Sequence, residues 1–210
     1  MSSVLIIDDH PILLRACRRI LQDMGVENVI EASETVAGYR LYRRHRPGMV
    51  IVDLSFQGSS LAGLPLVQRI RRNDPQARIL VLSMHSDPVI VARALQAGAT
   101  GYAVKDTSPE ELARAIEHVR EGIRFLSDDL ASKVAFAEAG AQRGPLADLT
   151  PRELQTLALL AEGKAYGRIA EDLNVSYKTV VNTCWQLRQK LDARNLPELV
   201  RTAVQLLATA

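Results

Sequence analysis

Short apolar runs alternate with amphipathic segments through the first half of the chain, and this alternation constrains the fold more than any other feature. Five runs are rich in Val and Ile and bounded by polar residues, namely 4–7, 29–30, 49–52, 79–82 and 102–104. Such runs are typical of strands buried on both faces. The segments between and after them carry apolar residues at helical spacing. Five strand–helix units predict an α/β fold with a doubly wound, five-stranded parallel sheet.

After Glu121 the alternation stops, and the remaining signal is helical. We predict an α/β domain over residues 3–121, a linker over 122–147 and a small all-α domain over 148–210. A modest helix is expected at 128–138 within the linker, and the glycines and proline of 139–147 indicate a loop. The run Thr150-Pro151-Arg152-Glu153 predicts a helix start, because it combines an N-cap threonine, a proline at the first position and a glutamate three residues after the cap.

Composition excludes several classes of protein. With 47% hydrophobic and 24% charged residues the chain is expected to fold, and no apolar run reaches the ~18–20 residues that span a bilayer. The net charge of +2 excludes a wholly basic, histone-like binder, so any nucleic-acid surface must be local. Cys17 and Cys184 lack metal-ligand spacing, and the N-terminus lacks a signal-peptide pattern. These features predict a reduced, cytoplasmic protein that does not associate with membranes.

Polar residues follow four of the predicted strands. Asp8 and Asp9 follow the first strand, Asp53 the third, Ser83 the fourth and Lys105 the fifth. The carboxyl ends of parallel strands meet at one edge, where ligands bind. Three carboxylates repel each other there unless they share a cation, and oxygen ligands suit Mg²⁺ better than Zn²⁺. A carboxylate held beside Mg²⁺ can accept a phosphoryl group. The alternative is that these aspartates only cap the following helices.

Residues 3–121 resemble the receiver domain of bacterial response regulators. The resemblance rests on Asp8-Asp9, Val52-Asp53-Leu54, the segment 82–85 and the segment 98–106. It implies that Asp53 is the phospho-acceptor and that Asp8, Asp9, Asp53 and the backbone carbonyl of Ser55 serve Mg²⁺. It also implies roles for three further residues, which are Lys105 and Ser83 as ligands of the phosphoryl group and Tyr102 as a switch that turns inward. Tyr102 can alternatively be an ordinary core residue.

One stretch departs from this pattern. The family usually has Met-Pro shortly after the acceptor and a glycine eight residues beyond it, whereas here the stretch to Gly63 is two residues longer and lacks the proline. Phosphorylation is still expected, while its rate and lifetime are open. The four histidines, His10, His45, His85 and His118, are scattered in sequence and form no evident ligand set; only His85 borders the expected phosphoryl site.

The third helix of the C-terminal domain, predicted over 177–191, has two distinct stripes. Val180, Cys184 and Leu187 form a buried stripe at helical spacing, which makes Cys184 a core residue rather than a reactive thiol. The opposite stripe is polar and contains Trp185. Residues 176–194 carry four basic side chains against one acidic one, which alone is also compatible with a solvated face.

Residues 149–207 resemble the LuxR-type helix-turn-helix of the NarL/FixJ response regulators, on motifs such as 149–153, 161–163, 175–180 and 190–200. The resemblance implies that the helix over 177–191 enters the major groove. Val181, Asn182 and Trp185 would then approach base edges. The residues expected nearer phosphates or at the helix start are Lys178, Thr179, Arg188 and Lys190. Val181 and Trp185 replace residues that are often basic or polar in the family, so the target sequence is open.

These resemblances predict a two-component transcription regulator rather than an enzyme. A sensor histidine kinase would phosphorylate Asp53 in the presence of Mg²⁺, and the helix-turn-helix would bind promoter DNA, with a homodimer expected in the phosphorylated or DNA-bound state. A LuxR-type regulator with a degenerate receiver that works without phosphorylation is the main alternative. A Mg²⁺-dependent phosphohydrolase is a third hypothesis, although Asp8 and Asp9 are adjacent rather than spaced by one residue.

Overall fold

A computed structural model of the chain describes residues 3–56, 61–138 and 145–208. Within these ranges the structure has five strands, β1 Val4–Ile7, β2 Val29–Ala32, β3 Met49–Val52, β4 Ile79–Ser83 and β5 Gly101–Val104. The helices of the α/β domain are α1 Pro11–Asp23, α2 Thr35–His45, α3 Gly63–Asn73, α4 Pro88–Gln96 and α5 Pro109–Glu121. They are followed by α6 Asp128–Glu138, α7 Pro151–Ala161, α8 Tyr166–Asp172, α9 Tyr177–Lys190 and α10 Leu196–Ala208. The five predicted strands and the helices predicted over 128–138 and 177–191 are confirmed, and their ends differ from the predicted ones by at most two residues.

The five strands form one parallel sheet in the order β2-β1-β3-β4-β5. Successive side chains of a strand point to opposite faces, and β1 shows the consequence. Val4 and Ile6 belong to a core cluster that includes residues of α1 and α5, whereas Leu5 and Ile7 belong to a cluster that includes residues of α2, α3 and α4. The near-continuous apolar strands are therefore buried on both faces, as the sequence predicts.

The segment after α5 packs onto the α/β domain instead of leaving it directly. The Tyr102 amide donates a 3.0 Å hydrogen bond to the carbonyl of Phe125, which extends the edge of the sheet next to β5. Leu130 and Val134 of α6 are buried, and α6 packs against α4. The boundaries of the linker stay a prediction, and residues 139–144 lie outside the described part of the chain.

The helical domain is built from α7 to α10. The predicted helix start is confirmed, because the Thr150 side chain accepts the Glu153 amide and the Glu153 carboxylate accepts the Thr150 amide at 2.7 Å. This reciprocal pair satisfies two donors that a helix start leaves without intrahelical partners. Val180, Cys184 and Leu187 of α9 are buried, which confirms the apolar stripe. Among the described residues, no helix combines the length and the apolar content needed to cross a membrane.

The two domains contact each other in this structure. The guanidinium of Arg93 on α4 donates a hydrogen bond to the carbonyl of Leu149, just before α7. A cavity of about 280 Å³ lies between the domains. Its lining comes from the region of α2 and β3 on one side and from Lys164, Arg168 and Asp172 on the other. The helical domain therefore lies beside the carboxyl edge of the sheet.

Candidate functional site

Backbone hydrogen bonds beyond the strand ends hold the functional side chains at the carboxyl edge. The amide of Asp8 donates to the carbonyl of Ala32, the amide of Asp53 to Ile7 and the amide of Lys105 to Ser83, at 2.8–3.0 Å. Each ladder thus continues one residue past its strand, and the side chain at that position faces the loops. This register brings Asp8, Asp53 and Lys105 together from three strands.

Lys105 bridges two buried carboxylates. Its Nζ lies 2.7 Å from Oδ2 of Asp53 and 2.9 Å from Oδ2 of Asp8, and both aspartates are 1% exposed. Burial raises the pKa of Asp53 to about 6, while the hydrogen bond and charge of Lys105 act in the opposite direction. The burial of the Asp53 carboxyl group therefore outweighs the effect of the Lys105 charge on its pKa and disfavours the ionised form.

The residues at this edge fit a hard divalent cation. Asp8, Asp9 and Asp53 offer carboxylate oxygens within 4.8 Å of one another, and three carboxylates outnumber the single lysine. Oδ1 of Asp53 is buried without a hydrogen bond of standard geometry to the described residues. An oxygen-only set with excess negative charge is the environment that Mg²⁺ prefers. Ser55 is half-buried two residues after Asp53, and the part played by its carbonyl stays a prediction.

Ser83 and Tyr102 both contact the backbone of His85. Both are 0% exposed. The Ser83 hydroxyl oxygen accepts a 3.3 Å hydrogen bond from the amide of His85, and the Tyr102 hydroxyl donates a 2.6 Å hydrogen bond to the carbonyl of His85. Tyr102 is thus turned inward in this structure, and its role as a switch remains a prediction.

Two histidines lie at this site, and the sequence singled out only His85. The imidazole Nδ1 of His10 lies 2.9 Å from Oδ1 of Asp8 and 3.0 Å from Oδ1 of Asp9, so the carboxylate cluster also includes His10. Its place directly after Asp8-Asp9 was the available signal. His85 is only 7% exposed, and burial lowers its pKa, although the carboxylates of Asp87 and Glu162 oppose that shift. Glu162 belongs to the helical domain, so a charge of that domain also acts on the pKa of His85.

The unusual stretch after Asp53 is only partly described, because residues 57–60 lie outside the described ranges. The loop ends at Gly63, where α3 begins, and this position leaves no space for a side chain. A Cβ on Gly63 would lie 2.0 Å from the carbonyl oxygen of Asp53, and its amide donates a 2.8 Å hydrogen bond to the carbonyl of Leu54. The end of the loop therefore packs directly against the backbone of Asp53 and Leu54.

The outer face of α9 is open to solvent. Val181 is 38% exposed and Trp185 60% exposed, and Lys178, Thr179 and Asn182 are also exposed. Ser176 caps the helix by accepting the Thr179 amide at 3.1 Å. The polar stripe predicted from the sequence thus lies on an accessible surface in this arrangement of the two domains.

Two cations expected to lie nearer phosphates have internal partners instead. Nζ of Lys190 lies 2.8 Å from Oε2 of Glu153 and donates to the carbonyl of Asp148 at 3.0 Å. Arg188 donates to the carbonyls of Ala193 and Arg194 at the end of α9. These contacts form because the chain turns back on α9 at its C-terminus, and the expectation that Arg188 and Lys190 lie nearer phosphates stays a prediction. Lys178 has no such partner among the described residues.

Comparison with known proteins adds independent evidence. Residues 4–117 match the family described as response regulator receiver domain, and residues 147–203 match bacterial regulatory proteins of the luxR family. This chain is a response regulator of the NarL/FixJ type. The regulator is 37% identical over 197 residues to methanol utilization control regulatory protein MoxX of Paracoccus denitrificans, covering 94% of this chain and 88% of that protein. It is 32% identical to response regulator UvrY of Escherichia coli K12, covering 98% and 94%.

Solved structures agree with the regulator's fold. RcsB of Salmonella typhimurium matches with a TM-score of 0.78 and 27% identity over 98% of both chains. A second RcsB structure, bound to a promoter in the presence of the phosphomimetic BeF3-, matches with a TM-score of 0.77 and 28% identity over 97% of this chain and 98% of that one. Both matches span the α/β domain and the helical domain of this chain, so the resemblance extends along nearly the whole regulator.

Proposed function

We propose that a sensor histidine kinase phosphorylates this regulator on Asp53 and that the modification controls how its helix-turn-helix binds promoter DNA. The observation that carries the proposal is the buried Asp53 carboxylate, which is held 2.7 Å from Lys105 within a cluster of carboxylates. The proposal is a regulatory role and not an enzymatic one, and the expected site of action is the cytoplasm, where a chromosome is accessible.

The residues of the site have separable roles. One carboxylate oxygen of Asp53 attacks the phosphorus of the donor, and the donor's bond to phosphorus breaks with its electron pair leaving on the donor. Mg²⁺, held by Asp8, Asp9, Asp53 and the Ser55 carbonyl, would neutralise charge on the phosphoryl oxygens. Lys105 already contacts Asp53 and is placed to pair with a phosphoryl oxygen on it.

Ser83 and His85 provide a route to the helical domain. If the Ser83 hydroxyl turns to the phosphoryl group, it leaves the 3.3 Å hydrogen bond with the His85 amide. His85 is also tied to Tyr102 through its carbonyl and interacts electrostatically with Glu162 of the helical domain. A change at Asp53 therefore biases an element that both domains contact.

The exposed stripe of α9 is proposed to read the major groove. Asn182 can pair with adenine, and Val181 can contact a thymine methyl group. Lys178 and Thr179 lie at the start of the helix, where a phosphate contact is favoured. Two copies are expected to bind paired half-sites, as is usual for helix-turn-helix regulators.

Incubation with acetyl phosphate and Mg²⁺, followed by intact-mass measurement, tests the acceptor. Wild type should gain ~80 Da as an aspartyl phosphate, and Asp53→Asn should not. Asp23→Asn, which changes an exposed aspartate on α1, is the matched control and should keep the adduct. An adduct of unchanged yield on Asp53→Asn would contradict the assignment.

One observation favours the alternative of a regulator that works without phosphorylation. The reading face of α9 is exposed although the two domains contact each other. Duplexes selected by wild type from a random pool separate the two candidates. Phosphorylation control predicts tighter binding after acetyl phosphate treatment for wild type but not for Asp53→Asn. Equal binding by both proteins, with and without treatment, would favour the alternative.

A further inference from the structure

His10 places a nitrogen donor at the mouth of the carboxylate cluster. Its Nδ1 lies 2.9 Å from Oδ1 of Asp8, 3.0 Å from Oδ1 of Asp9 and 3.9 Å from Oδ2 of Asp53. The backbone amide of His10 also donates a 2.8 Å hydrogen bond to Asp8, and Pro11 begins α1 directly afterwards. The backbone that carries the imidazole is therefore fixed beside the cluster, while 61% of the side chain remains exposed.

These spacings suit donors that share one ion. Neighbouring ligands of an octahedral ion with bonds of about 2.1 Å lie about 3.0 Å apart. The distances from His10 to Asp8 and Asp9 are close to that value, and all four groups offer one ligand atom within 4.8 Å of the others. Asp53 adds a buried oxygen, Oδ1, that has no hydrogen bond of standard geometry to the described residues.

The chemical type of the ligand atoms then decides which ion binds more tightly when His10 is present. Mg²⁺ prefers oxygen ligands and holds its waters tightly, so an imidazole adds little to its binding. Divalent transition ions accept imidazole readily, and their affinity rises along the series from Mn²⁺ towards Cu²⁺. A site of two or three carboxylates with one imidazole therefore differs in selectivity from a site of carboxylates alone.

We propose that His10 is a direct ligand for divalent transition ions at the cation site of this regulator, so that Co²⁺ and Ni²⁺ bind there in preference to Mg²⁺. The inference rests on the proposed cation site at Asp53 and extends it to a second class of ion. It assigns His10 a specificity role, because an imidazole nitrogen increases the preference for transition ions beyond what the carboxylates alone provide.

Calorimetric titration of the full chain with CoCl₂ and with MgCl₂ tests this inference. The ratio of Co²⁺ affinity to Mg²⁺ affinity should fall at least about tenfold in His10→Ala, since even outer-sphere changes at metal sites cost 10–100-fold. The affinity ratio should fall similarly in His10→Gln, because the glutamine side chain restores much of the volume of histidine but has no imidazole nitrogen. His45→Ala, an exposed histidine at the end of α2, should keep the wild-type ratio.

Proton NMR of the Co²⁺-loaded chain provides a second readout. Ligation by His10 predicts a hyperfine-shifted, exchangeable imidazole resonance that is present in wild type and His45→Ala and absent in His10→Ala. An unchanged affinity ratio, a resonance that persists in His10→Ala, or no Co²⁺ binding by wild type would each overturn the inference. If wild type still forms the phosphoryl adduct with Mg²⁺ in any of these cases, the proposed function stands and only the role of His10 fails.

Discussion

The hydroxyl of Tyr102 donates a 2.6 Å hydrogen bond to the backbone carbonyl of His85, and both groups are buried. Tyr102 lies on β5, whereas His85 lies in the loop between β4 and α4. This contact holds the loop that follows Ser83 against the neighbouring strand. This loop begins at Ser83, whose carbonyl accepts the amide of Lys105 at 2.8 Å, so it starts beside the carboxylate cluster.

Tyr102→Phe should destabilise the α/β domain. The change removes the donor and leaves the buried carbonyl of His85 unsatisfied, which costs roughly 1–3 kcal/mol. Thermal unfolding followed by circular dichroism measures the effect. Tyr177→Phe, at a residue 60% exposed in the helical domain, is the control and should leave the free energy of unfolding within about 0.5 kcal/mol of wild type, with a nearly unchanged midpoint. Equal midpoints for the two variants would show that the hydrogen bond does not hold the loop.

Asp53 should make stability depend on pH when divalent cations are absent. Burial raises its pKa to about 6 from the ordinary 3.8, so the folded chain holds this proton more tightly than the unfolded chain does. Its favourable contribution is fully present below about pH 4 and is lost as the pH rises through about 6. At one to two pH units above that pKa, the ionised carboxylate costs on the order of 3 kcal/mol, at about 1.4 kcal/mol for each pKa unit.

Asp53→Asn removes this ionisation and should therefore be more stable than wild type at pH 7.5, by a few kcal/mol at most. The difference should shrink as the pH falls below about 4, where wild type is protonated. Urea unfolding with EDTA at pH 7.5, 6 and 4 measures it, with Asp23→Asn as the exposed control. A stability difference that does not change with pH would contradict the raised pKa.

Gly63 should not tolerate a side chain. Gly63→Ala places a Cβ 2.0 Å from the carbonyl oxygen of Asp53, so the start of α3 or the acceptor strand must move. We expect a loss of at least about 1 kcal/mol in stability, as for other strained or overpacked sites, and slower adduct formation from acetyl phosphate. Gly167→Ala on α8 has open space around the new Cβ and should be neutral or stabilising by up to about 1 kcal/mol. Similar results for both variants would contradict the close approach.

Lys178 and Lys190 should differ although both are basic residues of α9. Lys178→Gln should weaken binding to all duplexes similarly and lower the slope of log K against log salt by about one per protomer. Lys190→Gln breaks the 2.8 Å contact with Glu153. It should lower the thermal midpoint of the helical domain, whereas its slope of log K against log salt should stay close to that of wild type. A salt series of binding isotherms with parallel thermal unfolding measures both. The reverse pattern would show that Lys190, and not Lys178, meets phosphate.

We expect Asn182 to contact a base edge rather than a phosphate group. Asn182→Ala should cost about 1–3 kcal/mol per half-site on a selected duplex and much less on random DNA. Gln22→Ala, which removes an exposed amide on α1 of the α/β domain, is the control and should leave binding to both duplexes unchanged. Equal losses on both duplexes for Asn182→Ala would show that its amide does not contact a base edge.

Much of the fold could be predicted because its signals are local. The Val- and Ile-rich runs and the spacing of apolar residues predict every strand and helix that the structure shows, and Thr150 and Glu153 predict the start of α7. The juxtaposition of Asp8, Asp53 and Lys105 followed from topology alone, since parallel strands end at one edge. Element ends were less certain, because backbone bonds such as that of Lys105 to Ser83 extend past the regular strand.

The contacts of individual charged side chains depended on the tertiary structure. Sequence periodicity places Lys190 and Arg188 on the same helix as Lys178, yet only the packing of α9 against α7 and the turn after α9 brings Lys190 to Glu153 and Arg188 to backbone carbonyls. Periodicity reports which face of a helix a residue occupies, and it contains no information about distant partners.

The sequence by itself determined the two-domain order, the parallel sheet, the edge where Asp8, Asp53 and Lys105 meet, and the exposed stripe of α9, because each depends on periodicity, strand ends or a long motif. Only the tertiary structure decided that His10 lies beside the carboxylates, that the side chain of His85 is buried and that Gly63 lies against the carbonyl of Asp53. Those relationships depend on how loops pack in three dimensions, which the spacing of residues along the chain does not report.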